Sequence, residues 1–413
     1  MKSLKPSSAA AYLGLLYISI FMLQTARTMY LDAYGKQDSH LDLLGYAINT
    51  GIGALLTIYA LQKRILLLAP LTVLGIFFIF LIINVVFNTD ESLKSVLFSR
   101  YGMLTWLTIG LWMAVGIRSV RTVLENGGGK RFQKLATSII YLSLLPVAWI
   151  VQKYLSDRVI FVSYQAIASN AIILISISII ALHAFIKNKP MGTVSSNLPV
   201  YICIAMSSFL VYAVALMQST GIVAFWIASL PVILISITSR SRLVIRLAIV
   251  LLMLVLLYWI AAKFFVEDIL NNTRLKNLNG GLLSIDSLQS RNELLPGFFR
   301  QFQIAPVFGD YHAEVSAGFE KGEYIHSLPL SLLTHSGIAG FFLMLLTWLM
   351  LYIDKIKFTG FADSNNLLAF RLFLVVSGLA SIYVFFNWAP LWFFMGYMCV
   401  KAYRPRPIKG AQK

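Results

Sequence analysis

This chain predicts an all-α polytopic membrane protein, with about twelve transmembrane helices and one large external loop, on three observations. Hydrophobic residues fill 58% of its 413 positions and charged residues only 12%, where a soluble domain carries roughly 25% charged residues. Apolar runs of the length a bilayer needs, roughly 17–25 residues, recur along the chain. The positive charges gather in short loops that alternate with acidic or nearly uncharged ones, as the positive-inside rule requires. The mean hydropathy of +0.77 agrees.

Taken in order, the apolar runs lie near 9–31, 43–61, 65–87, 101–117, 136–152, 160–186, 198–217, 221–237, 243–264, 327–353, 368–386 and 388–402. The last two are short and meet at Asn387-Trp388-Ala389-Pro390. Met1-Lys2-Ser3-Leu4-Lys5-Pro6 leads into a full-length apolar run without a small-residue cleavage site, so no cleavable signal is expected. Basic residues cluster at Lys2 and Lys5, Lys63-Arg64, Arg118 to Lys134, Lys187 to Lys189, Arg240 to Arg246, Lys355 to Arg371 and Lys401 to Lys413. These fall on alternate loops. The loops between them carry Asp32 to Asp42, Asp90-Glu91, Asp157 and Gln218-Ser219-Thr220. Both termini are therefore expected in the cytoplasm and the 265–326 segment outside.

Three parts follow: residues 1–264 with nine spans, the external loop 265–326, and residues 327–413 with three spans and a basic tail. The net charge of +17 would suit nucleic acid if it formed one patch. Spread over alternate loops, it reads as membrane orientation instead. Cys203 and Cys399 both lie in apolar segments, which argues against a disulfide. The basic loop around Gly127-Gly128-Gly129 suits lipid headgroups. No internal repeat of the transporter kind is visible.

The loop of about 60 residues far exceeds the usual connection of about 4–6. Leu282-Leu283, Leu294-Leu295, Phe298-Phe299, Phe302 and Val307-Phe308 make it apolar enough to be ordered. Residues 288–303 predict a short amphipathic helix against the membrane surface, broken or kinked at Pro296-Gly297. Within and after it come Ser290-Arg291, the Pro306-Val307-Phe308-Gly309 turn, Tyr324-Ile325-His326-Ser327, and Gly337 with Gly340 in the next helix.

That ordered set resembles the O-antigen polymerase and O-antigen ligase superfamily of bacterial surface-polysaccharide assembly. Where the superfamily shows a Ser-Arg-Gly-like turn two spans earlier, this chain reads Gln218-Ser219-Thr220-Gly221, without the Arg. Ser163-Tyr164-Gln165 resembles a Tyr-Gln feature of polymerases more than of ligases. The resemblance implies a glycosyltransferase of the inner membrane with a periplasmic active site, acting on undecaprenyl-pyrophosphate-linked oligosaccharides. It also implies a chain-length regulator and a flippase as partners.

The leaving group would be an anionic pyrophosphate, and guanidinium forks stabilise such charge with paired hydrogen bonds. Arg291 carries the motif. Arg100, Arg158 and Arg300 are candidate helpers, with Tyr324, Tyr164 and Gln165 as further substrate contacts; Arg27 and Arg274 lie on the same side. A snorkelling Arg, or one paired with Asp90, Asp157 or Glu293, is the structural alternative. His326 is the candidate base, since a neutral imidazole can take the proton of an attacking sugar hydroxyl; an interfacial His capping a helix is the alternative. His335 lies about 13 Å further along a helix, which suits packing or tunnel lining. Gly337 and Gly340 suit close helix contact.

No Asp-x-Asp, metal-spaced His/Cys cluster or nucleotide phosphate loop occurs, so neither a metal nor another cofactor is expected. Acids are almost absent from the spans, which disfavours an ion-coupled carrier. The expected function is polymerisation of lipid-linked repeat units. Ligation of finished polymer to lipid A-core is the enzymatic alternative, and a lipid-linked oligosaccharide flippase the non-enzymatic one.

Overall fold

The computed structural model describes residues 66–87, 109–117, 169–180, 220–237, 286–310, 327–358, 364–383 and 388–400, with some single residues omitted, and scattered positions of 51–62. These residues are helical apart from turns and one isolated bridge. Six named helices run through them: α1 Leu68–Phe87, α2 Thr220–Ile237, α3 Asp286–Ile304, α4 Leu328–Phe358, α5 Ser364–Tyr383 and α6 Ala389–Met398.

The local reasons are plain. α1 is apolar on every side, and its Pro70 sits in the first turn, where the missing N–H would lack an intrahelical partner anyway. α6 starts at Trp388 with φ −66° and ψ 116°, followed by Ala389-Pro390, again a proline in the first turn. Four buried hydroxyls in the helices fold back on the carbonyl four residues earlier. Ser176 donates to Ile172 O at 2.7 Å, Thr334 to Leu330 O at 2.9 Å, Ser336 to Leu332 O at 2.7 Å and Thr347 to Leu343 O at 2.9 Å. Each satisfies itself locally, as an apolar environment demands.

α1 and α5 each have 20 residues, and their apolar stretches, Leu68–Asn84 and Leu367–Ser381, are shorter than a span needs. In α4, residues Leu328–Asp354 are long and apolar enough to cross a membrane. The run predicted over 388–402 is realised differently. α6 has ten residues, about 15 Å, half a bilayer. It ends where Leu67 N–H donates to Cys399 O at 2.8 Å and Leu66 bridges Val400.

One apolar core joins these helices except α3, whose Phe298 forms a small separate cluster. α1 lies along α4, α5 along α2 and α6, and α3 against the first half of α4. Trp392, Tyr397, Phe77, Phe225, Phe393 and Phe394 are its largest fully buried side chains. α6 crosses residues 112–117 backbone to backbone. A Cβ on Gly116 would strike Phe393, and one on Gly396 would strike Met113. Small residues allow this close approach. On the outside, Ile76, Ile79 and Ile83 of α1 and Phe342, Leu345 and Leu349 of α4 stand exposed.

Candidate functional site

The site is built where α3 ends and α4 begins. α3 runs unbroken through Pro296, so the break predicted there does not occur. The Pro ring is exposed and Gly297 and Phe298 are buried beside it. Phe298 stacks on Phe302 at 5.8 Å between ring centroids, and Leu330 and Leu333 of α4 pack against Phe298 as well. The two helices thus descend side by side, with residue 298 level with 330–333.

Below them the Pro306–Gly309 turn reaches α4 at Gly337. Gly337 has φ 61° and ψ −168°, so α4 is broken there into two helical pieces. Gly309 has φ 71°. Both dihedrals lie in territory that favours glycine, and each glycine needs it for a second reason. A Cβ on either one would collide with the backbone of the other segment: Gly309 with Ser336 and Gly337, Gly337 with Val307 and Gly309.

The polar groups released by the break are taken up by the turn. Asp310 N–H donates to Thr334 O at 2.9 Å, Ile338 N–H to Pro306 O at 2.9 Å, and Ala339 N–H to Val307 O at 3.0 Å. Three further contacts hold the turn. Gly309 N–H donates to Ala305 O at 2.9 Å. Gln301 Nε2 donates to the Asp310 carboxylate at 3.2 Å. Asn84 of α1 donates its amide to Phe308 O at 2.6 Å. Phe308 then packs on Phe80 of α1, 6.1 Å between rings. Irregular backbone buried in protein must have its hydrogen bonds met, and these contacts meet several of them.

The head of α4 is fixed separately. Ser327 O accepts Ser331 N–H at 2.7 Å, the first bond of the helix, while Ser327 Oγ donates to Ser381 O of α5 at 2.9 Å. Ser331, Thr334, His335 and Ser336 are all buried around the break. His335 is 3% exposed. A Cβ on Gly340 would first strike the Ser336 side chain of its own helix and then meet Phe80 of α1 at 3.3 Å. Gly337 meets the turn instead of a helix.

Of the predicted site residues, Arg291 lies in α3, and Arg300 lies exposed in the same helix. They are nine residues apart, two and a half turns or about 13 Å, so in a regular helix their Cα atoms sit on opposite sides of the axis. His326, Tyr324, Arg100, Arg158, Tyr164 and Gln165 lie outside the described residues, as do Arg27 and Arg274. Ser327, the neighbour of His326, is anchored as above.

Sequence reasoning missed Asn84, Gln301 and Asp310. Asn84 did give a signal, as a lone amide in the run Leu81-Ile82-Ile83-Asn84-Val85-Val86. Buried polar groups need partners, and an amide in an apolar helix asks for one.

No family model matches the chain, and no curated protein or solved structure is significantly similar to it. The site therefore rests on its own geometry.

Proposed function

We propose that the chain is a membrane-embedded glycosyltransferase that joins polyprenyl-pyrophosphate-linked repeat units of a surface polysaccharide on the outer face of the inner membrane. One observation carries this reading. Motif pieces that the sequence only gives in order, the Pro306–Gly309 turn and Gly337, interlock through the backbones of Gly309 and Gly337. The helix bearing Arg291 and the helix that begins after His326-Ser327 are joined by that lock.

The membrane orientation has independent support. Contacts join residues that the charge rule assigns to the same side. Leu66 and Leu67 meet Cys399 and Val400 beside Lys63, Arg64 and Lys401. Arg371 Nη1 reaches Ser236 Oγ at 3.1 Å near the basic 240–246 loop. At the opposite level Asn84 meets Phe308, Ser327 meets Ser381, and Trp388 Nε1 donates to Ser169 Oγ at 3.0 Å.

In the proposed reaction, a hydroxyl of the acceptor repeat unit attacks the anomeric carbon of the donor. The new C–O glycosidic bond forms as the bond from that carbon to pyrophosphate oxygen breaks. The hydroxyl proton passes to the His326 imidazole, and the polyprenyl pyrophosphate leaves with its charge held by Arg291. A single displacement inverts the anomeric carbon. No metal takes part.

Gel analysis of surface polysaccharide from a deletion strain tests the reading. A single repeat unit on lipid A-core, restored to a ladder by the wild-type gene, is the expected result. Bare core with accumulated lipid-linked polymer would make the protein a ligase. Single lipid-linked units trapped on the cytoplasmic face would make it a flippase.

A further inference from the structure

The Pro306–Gly309 turn replaces part of the hydrogen-bond ladder of α4. In a continuous helix Ile338 N–H would donate to Thr334 O, and Ala339 N–H to His335 O. Here Ile338 and Ala339 donate to Pro306 and Val307, while Thr334 O accepts from Asp310. If the turn left, Gly337 could return to helical dihedrals and both ladder bonds would re-form. The segment therefore has two hydrogen-bonded arrangements: turn docked with α4 broken, and turn free with α4 continuous. An element with two discrete arrangements is what a conformational device requires.

What favours the docked arrangement comes partly from a third helix. Asn84 is 6% exposed, and its amide reaches Phe308 O at 2.6 Å across 224 residues of sequence. Without that donor, Phe308 O loses a buried partner, at a cost of about 1–3 kcal/mol. That is enough to move a balanced equilibrium by roughly five-fold to more than a hundred-fold.

We propose that the docked turn is a latch for the external arm, with Asn84 as its positioning residue. Latched, α3 and its Arg291 and Arg300 hold a fixed place beside the head of α4. Unlatched, α3 swings free while α4 straightens at Gly337. The latch stands on geometry alone; its effect on sugar transfer rests on the proposed function.

The test is a distance measurement by pulsed electron spin resonance on the full-length protein in nanodiscs. Spin labels at Gln303→Cys and Leu345→Cys, both exposed positions, report α3 against α4 in a Cys203→Ala, Cys399→Ala background. The parent gives one narrow distance. Asn84→Leu, close in size but without a donor, gives a broadened or second distance, and Gly337→Ala gives that second distance predominantly. A narrow, unchanged distance in Asn84→Leu overturns the latch. So does one in Gly337→Ala.

Polymer formation is read on the unlabelled Asn84→Leu protein. It falls about 10- to 100-fold per folded enzyme, with the loss in kcat, because a misplacement near 1 Å can cost that much. Full activity despite a shifted distance overturns the positioning role. If the parent makes no polymer at all, the proposed function fails while the distances still decide the latch.

Discussion

Gly309 and Gly337 meet with nothing but backbone between them, and both have positive φ. Alanine at either position adds left-handed strain of about 1–2 kcal/mol to a collision with backbone that has no side chain to yield. Gly309→Ala should therefore lower the thermal midpoint of the detergent-solubilised protein clearly. Gly378→Ala should not: a Cβ there meets nothing within 4 Å. Replacing a helical glycine gains about 0.5–1 kcal/mol, so that midpoint should hold or rise. Equal losses at both positions would contradict the docked turn. Pro306, Gly309 and Gly337 were legible in the sequence as a turn and a glycine pair. Their pairing with each other was not, because a glycine in an apolar helix reads equally well as a helix-packing position. Asn84 was invisible as a partner for a simpler reason. Its hydrogen bond closes across 224 residues, and no local pattern encodes that.

At the scale of the element, α3 illustrates how local rules yield to packing. Pro296 and Gly297 predict a break, yet α3 continues through them. Phe298, 4% exposed, buries against Phe302, Leu330 and Leu333, which holds the helix on α4 across the weak point. Phe298→Ala removes the centre of this small cluster, where full core truncations cost about 3–5 kcal/mol. Hydrogen exchange should then rise across residues 286–304 and stay unchanged in α5 and α6, whose contacts lie elsewhere. Uniform acceleration through all helices would show that α3 is an integral part of the main core. α1, α2, α4 and α5 were legible from apolar length alone, within a few residues at each end. α6 was not: its run continues past Met398, but Cys399 and Val400 turn aside to pair with Leu66 and Leu67. Hydropathy cannot see that event.

At the scale of the whole molecule, the proposed orientation puts the contacts at two levels, one on each side of the membrane. A cysteine at Lys321 should accordingly react with a membrane-impermeant thiol reagent in intact spheroplasts. One at Gly127 should react only after the membrane is opened. Labelling at Gly127 from outside would reverse the topology and remove the site from the lipid-linked donor. Charge patterning is what predicts this level of organisation, because it acts on every loop separately. The catalytic assignment is less readable, since it joins His326 and Arg291 through a loop whose path no periodicity determines.

The central claim is that this chain itself transfers sugar, with His326 as base. The most direct measurement incubates the purified full-length protein in nanodiscs with lipid-linked repeat units and no added metal, in parallel with His326→Ala and Arg291→Ala. The account predicts polymer from the parent and a loss of about 100-fold or more in each variant, the scale of general-base and charge-stabilising residues. Polymer formed equally well by His326→Ala, or none formed by the parent, would contradict it.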